Sequence, residues 1–295
     1  MNMKASVHYH IMLIPGIVLL LMFSVYPMFG IIMAFQDFNP MKGFWQSSFV
    51  GLENFKYMFQ IPDSKEVLRN TLVIAISKII ANLFVSVCFA LLLHELRIRI
   101  LKRAIQTIVY LPHFISWVLL GGILAQLLSL DGVFNQTLQF LGIDPVMFLG
   151  SNSWFRWIVV GSDVWKEFGF SAIIFLAALT NINPSLYEAA DIDGASRWQK
   201  LKFITLPGIA TMIVLVATLA LQNILNAGFE QILNLYNPLV YRTGDIIDTY
   251  VYRIGLLETQ YELATAVGLM KSIVSIVLII ISYVLASRYA NYRIF

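Results

Sequence analysis

The chain has 295 residues, of which 59% are hydrophobic and 13% charged, and its mean hydropathy is +0.76. Soluble globular domains carry about 25% charged residues, so this much apolar surface excludes a single soluble core and indicates an integral membrane protein. The net charge of +3 gives no nucleic-acid footprint, and the lone cysteine, Cys88, excludes a disulfide framework.

Six apolar segments reach the roughly 20 residues that a membrane-spanning helix requires. In chain order they cover about 11–33, 70–93, 104–130, 155–181, 207–229 and 262–287. The runs are continuous rather than alternating, which predicts helices and not barrel strands. The expected fold is an all-α membrane protein of six transmembrane helices, with one transmembrane domain over 1–295. The first run is too long for a signal-peptide core and no small-x-small site closes it, so it is read as an uncleaved span. Pro15, Pro27 and Pro112 are read as kinks.

Orientation follows from Lys and Arg in the connections. The loop 94–103, "HELRIRILKR", holds Arg97, Arg99, Lys102 and Arg103, and the loop 182–206 holds Arg197, Lys200 and Lys202. Lys4, Arg288 and Arg293 lie in the tails, whereas the loop 131–154 has no Lys or Arg. With six spans the basic segments share one side, which places both termini in the cytoplasm. The loop 34–69 carries Lys42, Lys56, Lys65 and Arg69, offset by Asp37, Glu53, Asp63 and Glu66.

The connection between the fourth and fifth spans is the most patterned polar stretch of the chain. Asn183 is placed to cap a helix with Pro184 at its first position. Gly194 is placed to stop it, and Ser196 and Gln199 have the spacing of a capping box. A second short helix is expected to end near Ile204, broken by Leu206-Pro207. An ordinary amphipathic interfacial loop accounts for Trp198 and the lysines. The small pair Ala189-Ala190 beside Glu188, presented on a capped base, suits docking in a partner's groove.

The pattern Glu188-Ala189-Ala190, three residues, Gly194, nine residues, Ile204, one residue, Leu206-Pro207 resembles the signature loop of permease subunits in binding-protein-dependent ABC importers. Asp193 lies within the same stretch. The longer runs "DIDGASRWQKLKFITLPGI", "GFEQILNLYNPLVY", "DIIDTYVYRIGL" and "ATAVGL" look like the carbohydrate-importing branch, most like its oligosaccharide and polysaccharide-fragment subgroup. The resemblance implies that 182–206 is a coupling segment seated in a cytoplasmic ATPase. It also implies a bacterial cell membrane and a second permease subunit, usually a different chain. Two ATPase subunits carrying ATP and magnesium, and an extracytoplasmic sugar-binding lipoprotein, complete the assembly. No phosphate-binding loop occurs in this chain, nor an H-E-x-x-H or paired Cys/His set, so no cofactor or metal is expected here.

Charged residues inside spans are costly and are functional candidates. Asp163, Lys166 and Glu167 share one side of the fourth span by their spacing, and Lys166 is expected to pair with Asp163. Trp165 offers an aromatic face to a pyranose ring. The cluster either lines the substrate path or only braces the bundle. Lys78 and Lys271 are read mainly as paired or snorkelling. Gln222, Asn223, Asn226 and Glu230 form a polar stripe on the fifth span, as interhelical glue or as a cavity lining. Glu230 and Gln231 are expected nearest the external mouth. Tyr236, Tyr241, Tyr250 and Tyr252 suit an interfacial belt or a binding-protein contact.

Two other classes compete. An ion-driven secondary transporter calls for an inverted repeat, and none is evident. An intramembrane enzyme needs a nucleophile with an oriented base; His113 and Ser116 are three apart but lack a third group.

Overall fold

The computed structural model describes residues 3–289; Arg293 lies outside them. Among the described residues the regular structure is helical apart from an antiparallel pair of two-residue strands, β1 (Gln36–Asp37) and β2 (Ser48–Phe49), with Gln36 opposite Phe49. Nine of the helices among the described residues carry the spans, the elbow and the site. They are α1 (Met3–Leu20), α2 (Pro62–Glu95), α3 (Arg99–Tyr110), α4 (Trp117–Leu127), α5 (Asn152–Thr180), α6 (Pro184–Ile192), α7 (Arg197–Gln222), α8 (Phe229–Leu235) and α9 (Tyr261–Tyr289). Contacts group the chain into two compact units, Met1–Pro62 with Tyr250–Met270, and Asp63–Thr249 with Lys271–Phe295.

Among the described residues, four helical stretches are long and apolar enough to cross a membrane: His10–Phe35, Pro62–Glu95, Arg197–Gln222 and Tyr261–Val284. Two bent pairs bring the count up to the expected six if each pair is one span. One is Asn152–Thr180 with Pro184–Ile192, bent by 66°. The other, Arg99–Phe114 with Trp117–Leu127, is bent by 101°, so the third span is not the single kinked helix expected over 104–130. Pro112 supplies no donor and lies in a tight 3₁₀ turn, Ile115 and Ser116 are extended, and Ser116 caps a fresh helix by accepting from the Leu119 amide at 3.4 Å. The basic loop 94–103 is also shorter than expected: Arg99, Lys102 and Arg103 belong to α3, and only 96–98 connects it to α2.

Leu206-Pro207 does not break its helix. A π turn over Leu201–Thr205 precedes it, and the Leu206 amide bonds to Leu201 O, five residues back. Proline's ring ordinarily strikes the carbonyl four residues earlier, and the wider turn accommodates it. Pro27 follows a second π turn, Leu21–Val25, in the same register. Both helices therefore continue through their prolines, and the second short helix merges with the fifth span.

In the first unit Phe35 stacks on Phe49 and tilts against Phe55, while Phe38 packs edge-on to Tyr261. Tyr250 is buried, not part of an interfacial belt, and the Arg253 guanidinium lies 5.4 Å from its ring centroid. The second unit is centred on Ala90, Ala172, Phe175, Leu179 and Ile209, contributed by α2, α5 and α7. Elsewhere the outer faces are strongly apolar, as lipid contact requires: Met12 and Phe23 are 77% and 70% exposed.

Candidate functional site

α2, α5, α7 and the turn after α7 border a half-open cavity of about 520 Å³, lined by Lys78, Asn82, Asp163, Glu167, Asn223 and Asn226. Its floor is a buried network. The Lys78 ammonium lies 2.9 Å from Asp163 Oδ1, donates to Ala227 O at 2.8 Å, and donates to Gln231 Oε1. Gln231, fully buried, donates to Val159 O at 2.7 Å and to Ser162 Oγ at 2.8 Å. A charge in an apolar interior persists where it is paired and fully hydrogen-bonded, and Lys78 meets both conditions.

This network explains the end of the fifth span. α7 stops at Gln222, short of the expected 229, and the chain turns through Asn223–Ala227 before α8. Gly228 has φ +100, and a Cβ there would lie 2.6 Å from Lys78 Nζ, so both the left-handed turn and the ammonium's approach require glycine. Lys78 thus ties the freed Ala227 carbonyl across to α2. The Gln222–Glu230 stripe is consequently not one helical face. Asn223 and Asn226 line the cavity in the break, Glu230 is exposed outside the lining, and Gln231 is a buried strut rather than a mouth residue.

The fourth-span cluster divides. Asp163 and Glu167 face the cavity. Lys166 does not pair with Asp163; it bonds to His113 O at 2.6 Å and Glu167 Oε1 at 3.1 Å, and lies 5.6 Å from the Trp117 ring centroid. His113 Nδ1 meets Glu167 Oε2 at 2.7 Å and its ring stacks on Phe170 at 4.0 Å, so Glu167 joins α5 to the broken third span. Trp165 lies outside the cavity lining and is half-exposed: on a helix it points away from Asp163. Lys271 is paired as expected, to Asp248 at 2.5 Å, and also reaches Asn226 at 2.8 Å. Asn82 is a further cavity residue, and its signal in the sequence is a position one helical turn beyond Lys78.

At the far end of α5 the elbow forms much as its local signals dictate. Asn183 Oδ1 accepts from the Ser185 amide at 3.0 Å, and Pro184 opens α6. Gly194 takes φ +71, while the Ala195 amide closes the helix end on Ala190 O at 2.9 Å. The Ser196–Gln199 capping box is complete, with bonds of 3.3 and 2.7 Å. Lys200 pairs with Asp191, and Tyr187 Oη meets Thr205 Oγ1 at 2.9 Å, joining α6 to the π turn of α7. The rest of the elbow faces outward. Glu188, Ala189, Asp193 and Gly194 are exposed, Ala190, Ile204 and Leu206 half-buried, and Pro207 exposed. The Glu188 carboxylate has no partner among the described residues.

Protein LplB of Bacillus subtilis (strain 168) is 40% identical over 97% of this chain and 90% of its own length. The polygalacturonan/rhamnogalacturonan transport system permease protein YteP of the same organism is 38% identical over 97% of this chain and 89% of its own. A bacterial alginate ABC transporter, solved with a periplasmic protein holding an alginate pentasaccharide, contains a chain 37% identical with TM-score 0.88, covering 99% of this chain and 98% of that one. The family model described as binding-protein-dependent transport system inner membrane component matches residues 82–291. With its bundle of apolar helices and outward-facing elbow, the chain belongs to that family, as a multi-pass membrane transport subunit and not an enzyme.

Proposed function

We propose that this chain is one of two permease subunits of an ABC importer for oligosaccharides, with acidic polysaccharide fragments as its cargo. The observation that carries the reading is the polar cavity midway along α2 and α5, placed where the fifth span is interrupted. Polar groups at membrane depth and helix breaks there mark solute pathways. Asn82, Asn223 and Asn226 present amides to a hydroxyl-rich solute, with Asp163 and Glu167 as further acceptors. Polygalacturonan and alginate, named for two of the relatives, are built of uronic acids, which supports a carboxylated cargo.

In this reading α6 is the coupling helix. Glu188, Ala189, Ala190, Asp193 and Gly194 form the surface that docks in one of two cytoplasmic ATPase subunits, which bind ATP and magnesium. Ile204, Leu206 and Pro207 connect that surface to the fifth span. Closure of the ATPase pair pushes the elbow, and the Tyr187–Thr205 bond and Lys200–Asp191 pair carry the push into α7. The cavity then opens outward and takes sugar from an extracytoplasmic binding lipoprotein; hydrolysis returns it inward. Both termini lie in the cytoplasm. The assembled transporter, reconstituted with its binding protein, tests the path. Asp163→Asn and Glu167→Gln are expected to shift half-saturation or turnover of ATP-driven oligogalacturonate uptake at least threefold, with co-purification unchanged. Wild-type uptake parameters in both assembled variants overturn the cavity as the path.

A further inference from the structure

A second pocket of about 270 Å³ lies at the opposite end of α2 and α5 from the elbow. Three arginines line it, Arg69, Arg156 and Arg242, against one acidic residue, Glu66. Arg156 is held in place: its Nε donates to Thr243 O at 2.9 Å and its Nη2 to Asn70 Oδ1 at 2.5 Å. Asn70 is itself 1% exposed, and its amide donates to the carbonyls of Arg242 and Asp245 at 3.1 and 3.2 Å. The neighbouring Arg69 and Arg242 are exposed, and neither side chain has a hydrogen bond or ion pair among the described residues.

Three like charges gathered over a rigid base repel one another until an anion joins them, and guanidinium forks match a planar carboxylate. Asn152, in the lining, opens α5, so the positive end of that helix adds to the same field. Along α2, Asn70 precedes Lys78 by eight residues, roughly 12 Å of helix. The pocket therefore stands about two turns from the polar cavity, on the shared walls α2 and α5. We infer that the Arg69–Arg156–Arg242 pocket is a carboxylate-binding subsite, at which an acidic oligosaccharide is held by one uronate before it enters the cavity. The inference rests on the acidic-cargo reading above and adds to it the residues that select charge.

The test uses the complete transporter in nanodiscs of zwitterionic lipid, without binding protein, and fluorescent trigalacturonate as probe. Its methyl ester serves as the neutral control. Arg69→Gln/Arg242→Gln removes the two unpaired guanidiniums and leaves the Arg156 scaffold intact. Trigalacturonate is expected to bind the double variant about tenfold more weakly than wild type, and to lose most of its salt dependence. The ester is expected to bind both alike. Equal affinities of wild type and variant for trigalacturonate overturn the subsite, as does an equal loss for acid and ester. ATP-driven uptake of trigalacturonate by the wild-type complex with its binding protein, measured in parallel, separates the two readings. Uptake without the expected binding difference removes the subsite alone. Absence of uptake removes the acidic-cargo reading and the subsite with it.

Discussion

Replacing Lys78 by methionine probes the network under the cavity. The substitution keeps the long apolar stem and deletes the ammonium, so three acceptors lose their donor: Asp163 Oδ1 at 2.9 Å, Ala227 O at 2.8 Å, and Gln231 Oε1. Removing one partner of a buried ion pair costs roughly 3–5 kcal/mol. The Asp163 side chain is 19% exposed, so cavity water relieves part of the orphaned charge and the expected loss is about 3 kcal/mol, the low end of that range. Asp163→Asn alone leaves the ammonium with Ala227 and Gln231 and costs less, about 1–2 kcal/mol. The double variant Lys78→Met/Asp163→Asn strands no charge and is expected to recover about 2 kcal/mol relative to the sum of the singles. Equilibrium unfolding of the reconstituted chain in mixed micelles, carried through the full mutant cycle, measures that coupling. Lys78→Met within about 0.5 kcal/mol of wild type, or singles that simply add, refutes the argument that this pair supports the break between α7 and α8.

Two further expectations concern the elbow and the topology. Gly194→Val places a β-branched side chain at φ +71, with local strain of about 1–3 kcal/mol, and Glu188→Lys reverses the exposed charge of α6. Both are expected to insert and assemble yet lose ATP-driven uptake, scored by co-purified ATPase beside transport; normal uptake in both removes the coupling assignment. Single cysteines in a Cys88→Ser background are expected to react with an impermeant maleimide from outside at positions in 131–154, and not at position 200. Labelling of position 200 in intact cells reverses the orientation.

What the sequence made legible was largely local. The caps at Asn183 and Ser196–Gln199 and the stop at Gly194 act over one to five residues, and each formed as its spacing dictated. Span number was readable because apolar length is a one-dimensional property. The third-span break was less visible: Pro112 read as a kink, although Ser116 four residues on carried the cap that starts a new helix. The charge network was the least accessible. Helical spacing paired Lys166 with Asp163, three residues away, but the structure pairs Asp163 with Lys78 on another helix. Nothing local encodes a contact across that separation, and Lys166 is claimed instead by His113 O from the bent third span. The same blindness made Gln231 a mouth residue, when burial and two donors fix it as a strut. Arg69, Arg156 and Arg242 are likewise scattered in sequence and gathered only by the helix ends.

Alternating access of the cavity is read from the accessibility of Ala220. Ala220 lines the cavity on α7, and Ala220→Cys in a Cys88→Ser background introduces a small reporter there. An impermeant maleimide is added from outside to proteoliposomes of the complete transporter with its binding protein. The expected result is slow labelling without nucleotide, at least tenfold faster labelling when ATP and vanadate hold the ATPase pair closed, and protection by oligogalacturonate in that state. Labelling at one rate with and without nucleotide, and unaffected by sugar, rules out alternating access at this cavity.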